Sequence, residues 1–276
     1  MSQILGPVVE QTIVPDGFIL EQNSKTLMVT INRPNQANSF TLGMYLQFIE
    51  ILKKAAEDDN VDVVLVKGNG KMFSSGNDMK NFSLFTLTTE EQRIQFATEL
   101  VELIRELNNA ILHFPKSLIG CCHNGVFGFL FPMLALFDQV YVTEDCYFVA
   151  PMIQLGQGHE MFSSYTFPRL FGHSKAFSLL VNGERLIAKD AIQYGFAQRI
   201  FKTKEEMYSN AQKLCEQLEQ VDRNSVLNGK LLMREALMSE LSKAGERELK
   251  VNFKIWSQEN LLQNVMKQMM RMKSKL

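Results

Sequence analysis

The sequence has no strong excess of charge and no long apolar run, and both absences exclude functions. Its 276 residues carry 29 basic and 30 acidic side chains, a net charge of −1, so no field of one sign attracts nucleic acid or an anionic membrane. No apolar run approaches the roughly 20 residues that a membrane span needs. The first 18 residues lack the features of a secretory signal or a mitochondrial transit peptide. We therefore expect neither nucleic-acid binding nor a membrane span.

Several chemical motifs are also absent. The four cysteines and four histidines show no spacing typical of a metal site. Cys121 and Cys122 are adjacent in an apolar run, so in a strand their side chains would point to opposite faces. We predict buried free thiols, which suit a reducing compartment. The sequence has no Walker loop, no dinucleotide-binding glycine pattern and no Gly-x-Ser-x-Gly elbow, so none of these chemistries is indicated.

What the sequence does contain is an alternation of strand and helix patterns. Short β-branched or apolar runs are typical of strands, and apolar residues at three- and four-residue spacing are typical of helices. The strand patterns lie at 26–31, 61–68, 117–122 and 139–143, and the helical patterns at 41–59 and about 89–114. Strands separated by helices imply parallel pairing and an α/β fold. After about residue 200 only helical patterns follow, and their Met-rich end fits either helix packing or an oligomer contact.

Two loops rich in small residues follow predicted strands. They are GNGKMFSSGNDMKNF at 68–82 and CCHNGVFGF at 121–129, and a helix is predicted to begin near Gly128. Backbone N–H groups in such loops can hold an anion or a polarised carbonyl oxygen. Open α/β sheets bind ligands at the carboxyl ends of their strands, so we expect the two loops to meet there and form an oxyanion hole.

A third stretch, GQGHEMFSSYTFPRL at 156–170, holds one acidic residue among small, apolar and aromatic neighbours. Taken alone, Glu160 is either an acid/base group or an ordinary loop carboxylate. His159 adjoins it but has no nucleophile signature nearby. His123 at a strand end and Asp78 at a turn are expected to have structural roles.

These loops resemble the crotonase (enoyl-CoA hydratase/isomerase) superfamily, and most of all its peroxisomal type of enoyl-CoA delta isomerase. The stretches that carry the resemblance are FSSGNDMKNF, NGVFG followed by LALFDQVY, and LGQGHEMFSSYTFPRLFG. The likeness runs from about residue 25 to residue 200. It implies an α/β crotonase-like ββα spiral core at 1–200, followed by a C-terminal helical region at 201–276 that trimerises. A homotrimer or a dimer of trimers is the expected assembly.

The resemblance also implies a binding site for an acyl-CoA thioester, with no metal and no other cofactor. Ser75 and Phe129 match the two positions whose backbone N–H groups hold the thioester oxygen. The implied substrate-binding residues are Gln36, Ala37, Asn38, Ser74, Ser75, Gly76, Asn77, Asp78, Met79 and Gly128.

The acid/base residues distinguish members of this superfamily. Hydratases use two glutamates, and the matching positions here are Pro132 and Met152, which cannot move a proton. Glu160 matches the single glutamate of the peroxisomal isomerases. The resemblance therefore implies isomerisation of 3-enoyl-CoA to 2-trans-enoyl-CoA in the β-oxidation of unsaturated fatty acids. A dienoyl-CoA isomerase would need further carboxylates in the pocket.

One departure from the family supports a different class of function. Relatives usually have one more residue between the Asn-Gly and the next Gly than NGVFG has. A misaimed Phe129 N–H would lower the rate, since a shift near 1 Å can cost about 10²-fold. The alternative is a weakly active or inactive subunit with a binding or assembly role.

The last three residues of the sequence, Ser274, Lys275 and Leu276, form the tripeptide that the peroxisomal import receptor reads. They predict a peroxisomal location with that receptor as a partner. The alternative locations are the mitochondrion and the cytosol.

Overall fold

The computed structural model describes residues 10–14, 17–83 and 88–273, and these form two sheets surrounded by helices. The larger sheet has the strand order β1-β2-β3-β4-β5-β7-β10, and the smaller has the order β6-β8-β9. The strands are β1 Glu10–Val14, β2 Phe18–Asn23, β3 Thr26–Ile31, β4 Val63–Gly68, β5 Ser117–Cys122, β6 Gly125–Phe127, β7 Gln139–Thr143, β8 Tyr147–Val149, β9 Leu186–Ile187 and β10 Arg199–Phe201.

The predicted parallel pairing is confirmed. Strands β3, β4, β5, β7 and β10 pair in parallel, each with the next in this order. The β1 and β2 strands extend the sheet by antiparallel pairing, and the sequence patterns did not predict them. The carboxyl ends of the parallel strands therefore share one edge, where the loops that follow β4 and β5 begin.

Helices cover the sheets and continue to the end of the described chain. They are α1 Leu42–Glu57, α2 Lys80–Ser83, α3 Glu90–Leu112, α4 Leu130–Leu134, α5 Ser163–Phe171, α6 His173–Leu180, α7 Ala188–Gln193, α8 Lys204–Glu219, α9 Arg223–Trp256 and α10 Leu261–Lys273. None of the helices in the described ranges is long and apolar enough to cross a membrane.

The helix boundaries follow from local signals in the sequence. The hydroxyl of Thr41 accepts a hydrogen bond from Met44 N and begins α1. Thr89 and Gln92 form a capping box at the start of α3. Pro132 lies in the first turn of α4, where a proline costs no helical hydrogen bond.

The sheet separates two groups of buried apolar side chains, as the adjacent cysteines predicted. Cys122 belongs to the main core, whereas Cys121 packs under α8 with residues such as Met207 and Cys215. Cys121, Cys122, Cys146 and Cys215 are all buried and free. The prediction of buried thiols is therefore confirmed.

The C-terminal helices contribute to the same main core as the preceding residues. Leu241 and Trp256 of α9 and Val265 of α10 pack in it. One core thus joins the two parts of the chain. The division into 1–200 and 201–276 stays a prediction. Ser274, Lys275 and Leu276 lie outside the described residues.

Candidate active site

A cavity of about 520 Å³ lies at the sheet edge where the loops after β4 and β5 begin. Most of the predicted site residues line it together: Gln36, Ser75, Asn77, Asp78, Met79, Gly128, Phe129 and Glu160. Its surface is mainly apolar, as expected of a site for a small molecule with a long hydrocarbon part.

Four predicted binding residues are not part of the cavity surface: Ala37, Asn38, Ser74 and Gly76. Two of them hold the loops in shape. The fully buried Asn38 amide donates to the carbonyls of Asn69, Met72 and Phe73 at 2.7, 3.0 and 3.1 Å. The Ser74 hydroxyl donates to the Asn38 carbonyl at 2.6 Å. These contacts join the segment 36–38 to the loop at 68–82.

The two glycine-containing loops run side by side. Ser74 and Val126 form a parallel bridge, which brings Gly76 opposite Gly128 two residues later. Both glycines have positive φ, 85° and 65°. A Cβ atom on Gly76 would lie 2.8 Å from the Phe127 carbonyl oxygen, so only glycine allows this approach.

The backbone N–H groups in these loops correct one predicted role. Ser75 N donates to the Ala37 carbonyl at 2.9 Å, so this amide is already engaged and is not a free oxyanion donor. Asn77 faces Phe40 in a parallel bridge whose hydrogen bonds use the amides of Phe40 and Asp78 instead. Among the described residues, the N–H groups of Asn77 and Phe129 have no hydrogen-bond acceptor. These two amides are the better pair of donors.

Glu160 lies on the segment between the 3₁₀ turn Ile153–Leu155 and α5, and it lines the cavity. Burial, and to a lesser extent the charge of Glu248, raise the pKa of Glu160 to about 7. At neutral pH the group therefore exists in both protonation states, which suits a general acid and base.

Comparison with known proteins shows the family of the chain. The profile of the enoyl-CoA hydratase/isomerase family matches residues 21–273. The chain belongs to this family. Enzymes of the family generally require no cofactor. In the part of the chain that the structure describes, no cluster of three or more His, Cys, Asp or Glu side chains could hold a metal ion.

Several family members resemble this chain in sequence. "Enoyl-CoA delta isomerase 2" of Rattus norvegicus is 35% identical over 185 residues, 67% of this chain and 46% of that protein. "Enoyl-CoA delta isomerase 3, peroxisomal" of Mus musculus is 34% identical over 174 residues, 63% of this chain and 53% of that protein. The matched part thus spans about half the length of these relatives.

Solved structures show that the fold is the crotonase fold. The enoyl-CoA hydratase/isomerase from Pseudoalteromonas atlantica T6c superposes with a TM-score of 0.80 at 24% identity, covering 91% of this chain and 96% of that one. A putative enoyl-CoA hydratase/isomerase from Acinetobacter baumannii gives 0.79 at 24% identity, covering 89% and 99%. The α/β architecture with two sheets and a long C-terminal helix is therefore that of the family.

The other ionisable groups near the cavity have structural contacts. Although burial opposes it, hydrogen bonds from Lys80 N, Arg33 and Ser39 hold the pKa of Asp78 below its ordinary value. Asp78 therefore stays ionised and bonded. His123 contacts the Gly70 carbonyl at 3.2 Å and is not a lining residue.

The sequence patterns missed Tyr45, which also lines the cavity. Its hydroxyl is 3.4 Å from Asn77 Oδ1, and its ring centroid is 4.7 Å from that of Phe129. Burial, and then the charge of Glu160, raise the pKa of Tyr45, so it remains a protonated donor. Tyr45 lies on α1, and apolar residues at helical spacing do not distinguish a tyrosine that lines a cavity from one that packs in the core. Its hydroxyl is the signal in the sequence that could reveal it.

Proposed function

We propose that this chain converts 3-enoyl-CoA thioesters into 2-trans-enoyl-CoA thioesters. The observation that carries the proposal is that one cavity is lined by Glu160, with its pKa of about 7, and by Asn77 and Phe129, whose backbone amides have no hydrogen-bond acceptor among the described residues. The names of the rat and mouse relatives, which are delta isomerases, support it. The lining position Met152 carries no carboxylate, which disfavours a hydratase mechanism with two glutamates.

The proposed reaction is a proton shuttle. Glu160 removes a proton from C2, which is acidic because the thioester can enolise. The negative charge moves to the thioester oxygen of the dienolate, where the amides of Asn77 and Phe129 stabilise it. Protonated Glu160 then delivers the same proton to C4, and the double bond moves from C3–C4 to C2–C3. One carboxylate is sufficient for both steps.

The apolar part of the cavity suits the acyl chain. Leu100 and Ile104 of α3, Trp256 of α9 and Val265 of α10 line it. The CoA moiety would extend past Gln36 and Met79, two of the implied substrate-binding residues. The second loop, although one residue shorter than usual, still brings Phe129 to the cavity surface, which supports an active enzyme over an inactive subunit.

The test is an isomerase assay with a 3-enoyl-CoA on the wild type and on Glu160→Gln. A general base contributes about 10²–10⁴-fold, so we expect a loss of that size. Glu50→Gln, an exposed carboxylate on α1, is the matched control and should keep full activity. Activity that survives Glu160→Gln would contradict the mechanism. A wild type that binds acyl-CoA without turnover would favour the alternative binding or assembly role.

The proposed location is the peroxisome. It rests on Ser274, Lys275 and Leu276 and on the mouse relative whose name includes that compartment. A fluorescent protein fused in front of the chain should enter peroxisomes, and the same fusion without the three residues should not. A mitochondrial or cytosolic signal from the intact fusion would support one of the alternative locations.

A further inference from the structure

One face of α9 is hydrogen-bonded along the segment that carries Glu160. Glu248, Asn252 and Trp256 are four residues apart, so their side chains project from the same side of the helix. Each of the three makes a hydrogen bond to residues between 157 and 164. Glu248 contacts the end of this segment, Asn252 its middle and Trp256 its beginning.

The contacts are short and buried. The Glu248 carboxylate accepts from Phe162 N and from Ser164 N, both at 2.8 Å, and its residue is 5% exposed. These amides lie at the N-terminal end of α5, where unpaired N–H groups favour a carboxylate.

Asn252 and Trp256 hold the beginning of the same segment. Asn252 is completely buried, its Oδ1 accepts from Gly158 N at 2.8 Å, and its Nδ2 donates to the His159 carbonyl at 2.8 Å. Trp256 Nε1 donates to Gln157 Oε1 at 2.6 Å. The backbone on both sides of Glu160 is therefore bonded to α9.

The segment needs such support because its backbone is strained. Met161 and Phe162 follow Glu160 with φ of 54° and 62°, a left-handed region that costs a non-glycine residue of order 1–3 kcal/mol. The segment also packs closely against α9, since a Cβ atom on Gly158 would lie 2.3 Å from Asn252 Oδ1. A Cβ atom on Gly245 of α9 would lie 2.8 Å from the Phe162 ring.

We propose that Glu248 and Asn252 are positioning residues that hold the Glu160 carboxylate in the cavity, which makes α9 part of the catalytic apparatus. Neither side chain lines the cavity, so both act through the segment and not through the substrate. This inference rests on the proposed isomerase function for its kinetic consequences.

The charge of Glu248 gives the proposal a second consequence. Burial and then the Glu248 carboxylate raise the pKa of Glu160. Removing that negative charge should lower the pKa of Glu160 and move the acidic limb of the pH–rate profile to lower pH. The other titratable or charged groups around the cavity and the segment include Tyr45, Asp78 with its partner Arg33, His159, and Arg247, whose charge acts on Glu248. None of these changes in the variants below.

The test compares Glu248→Gln and Asn252→Leu with Glu246→Gln. Glu246 lies on the same helix but is exposed and pairs with Arg105 at 3.0 Å, so its variant controls for a change of charge on α9. A displacement of the base near 1 Å costs about 10²-fold. We expect kcat to fall at least about 10-fold in both positioning variants, with KM within about threefold of wild type. Glu246→Gln should keep both constants.

Two further measurements separate this role from a loss of folding and from a failure of the proposed function. Asn252→Gln keeps an amide that can accept from Gly158 N and donate to the His159 carbonyl, so it should retain more activity than Asn252→Leu at equal thermal stability. The pKa of Glu160 can also be measured by an NMR titration of glutamate-labelled protein. The Glu160→Gln variant assigns the signal, and the titration does not depend on catalytic turnover.

The outcomes then decide the proposal. A lower pKa of Glu160 in Glu248→Gln, together with the fall in kcat, supports it. An unchanged titration, or folded variants with kcat within about threefold of wild type, would overturn it. If the wild type does not isomerise, the proposed function fails, and the titration alone decides whether Glu248 acts on Glu160.

Discussion

A carboxyl group that both takes and returns a proton works best with a pKa near the operating pH. Burial brings the pKa of Glu160 to about 7. The group must be ionised to remove the C2 proton, so kcat/KM should rise about tenfold per pH unit below about pH 7 and level off above it. Initial rates from pH 5 to 9 test this. A profile that is flat from pH 5 to 8 would contradict Glu160 as the base.

The close approach of the two glycine-containing loops gives a second prediction. Gly76→Ala and Gly195→Ala both place a side chain at positive φ, 85° and 72°, which costs about 1 kcal/mol. Only at Gly76 would the new Cβ meet a backbone atom, whereas Gly195 has open space around it. We expect Gly76→Ala to lose about 2 kcal/mol or more in denaturant unfolding and to lower kcat/KM at least about 10-fold.

Gly195→Ala should lose about 1 kcal/mol with normal kcat/KM. Equal effects of the two substitutions would mean that the approach of the loops does not set the direction of the amides of Asn77 and Phe129.

The site residues show where reasoning from sequence stops. The family resemblance implied roles for Glu160 and Phe129, and the structure brings both residues to one cavity. The choice between Ser75 and Asn77 as a donor depends on which amide is already bonded to another loop. The acceptor for Ser75 N is the Ala37 carbonyl, far away in sequence, so no local pattern could have revealed it.

At the scale of elements, the same threonine-to-alanine change should affect stability differently at the start of α3 and inside it. The Thr89 hydroxyl accepts from Gln92 N at 3.2 Å in the capping box, so Thr89→Ala should lose about 1 kcal/mol. Thr98 is exposed inside the same helix and donates to the Ile94 carbonyl. Thr98→Ala should be neutral or slightly stabilising, because alanine is the better helix former. Denaturant midpoints measure both, and similar losses would contradict the capping role.

Element prediction succeeded where the pattern was long enough to show a period. The strands β3, β5 and β7 coincide with the predicted runs, and α1 and α3 begin within one residue of the predicted helical patterns. The smaller sheet was missed because its strands β6, β8 and β9 have only 3, 3 and 2 residues. So few residues show no alternation. Their pairing depends on contacts between segments distant in sequence.

The contribution of the C-terminal helices is a property of the whole molecule. The sequence indicated helices after residue 200, but a periodic pattern does not say which core a helix joins. In the structure α9 packs on the main core and bonds the segment with Glu160. The part of the chain after residue 200 therefore contributes to the candidate site as well as to the predicted assembly region.

That predicted assembly can be tested at exposed apolar residues of α9. Leu231, Leu232 and Met233 are 61%, 70% and 73% exposed in the single chain, which is unusual for three successive apolar side chains. The family resemblance implies a trimer, and burying these residues between subunits would remove apolar surface from water. We expect the wild type to sediment as a trimer and Leu232→Glu with Met233→Glu to dissociate, because a glutamate in such a contact would be an unpaired buried charge. Leu46→Glu, at an exposed apolar residue of α1, should leave the assembly unchanged. A monomeric wild type would contradict the trimer, and a variant that stays trimeric would place the contact elsewhere.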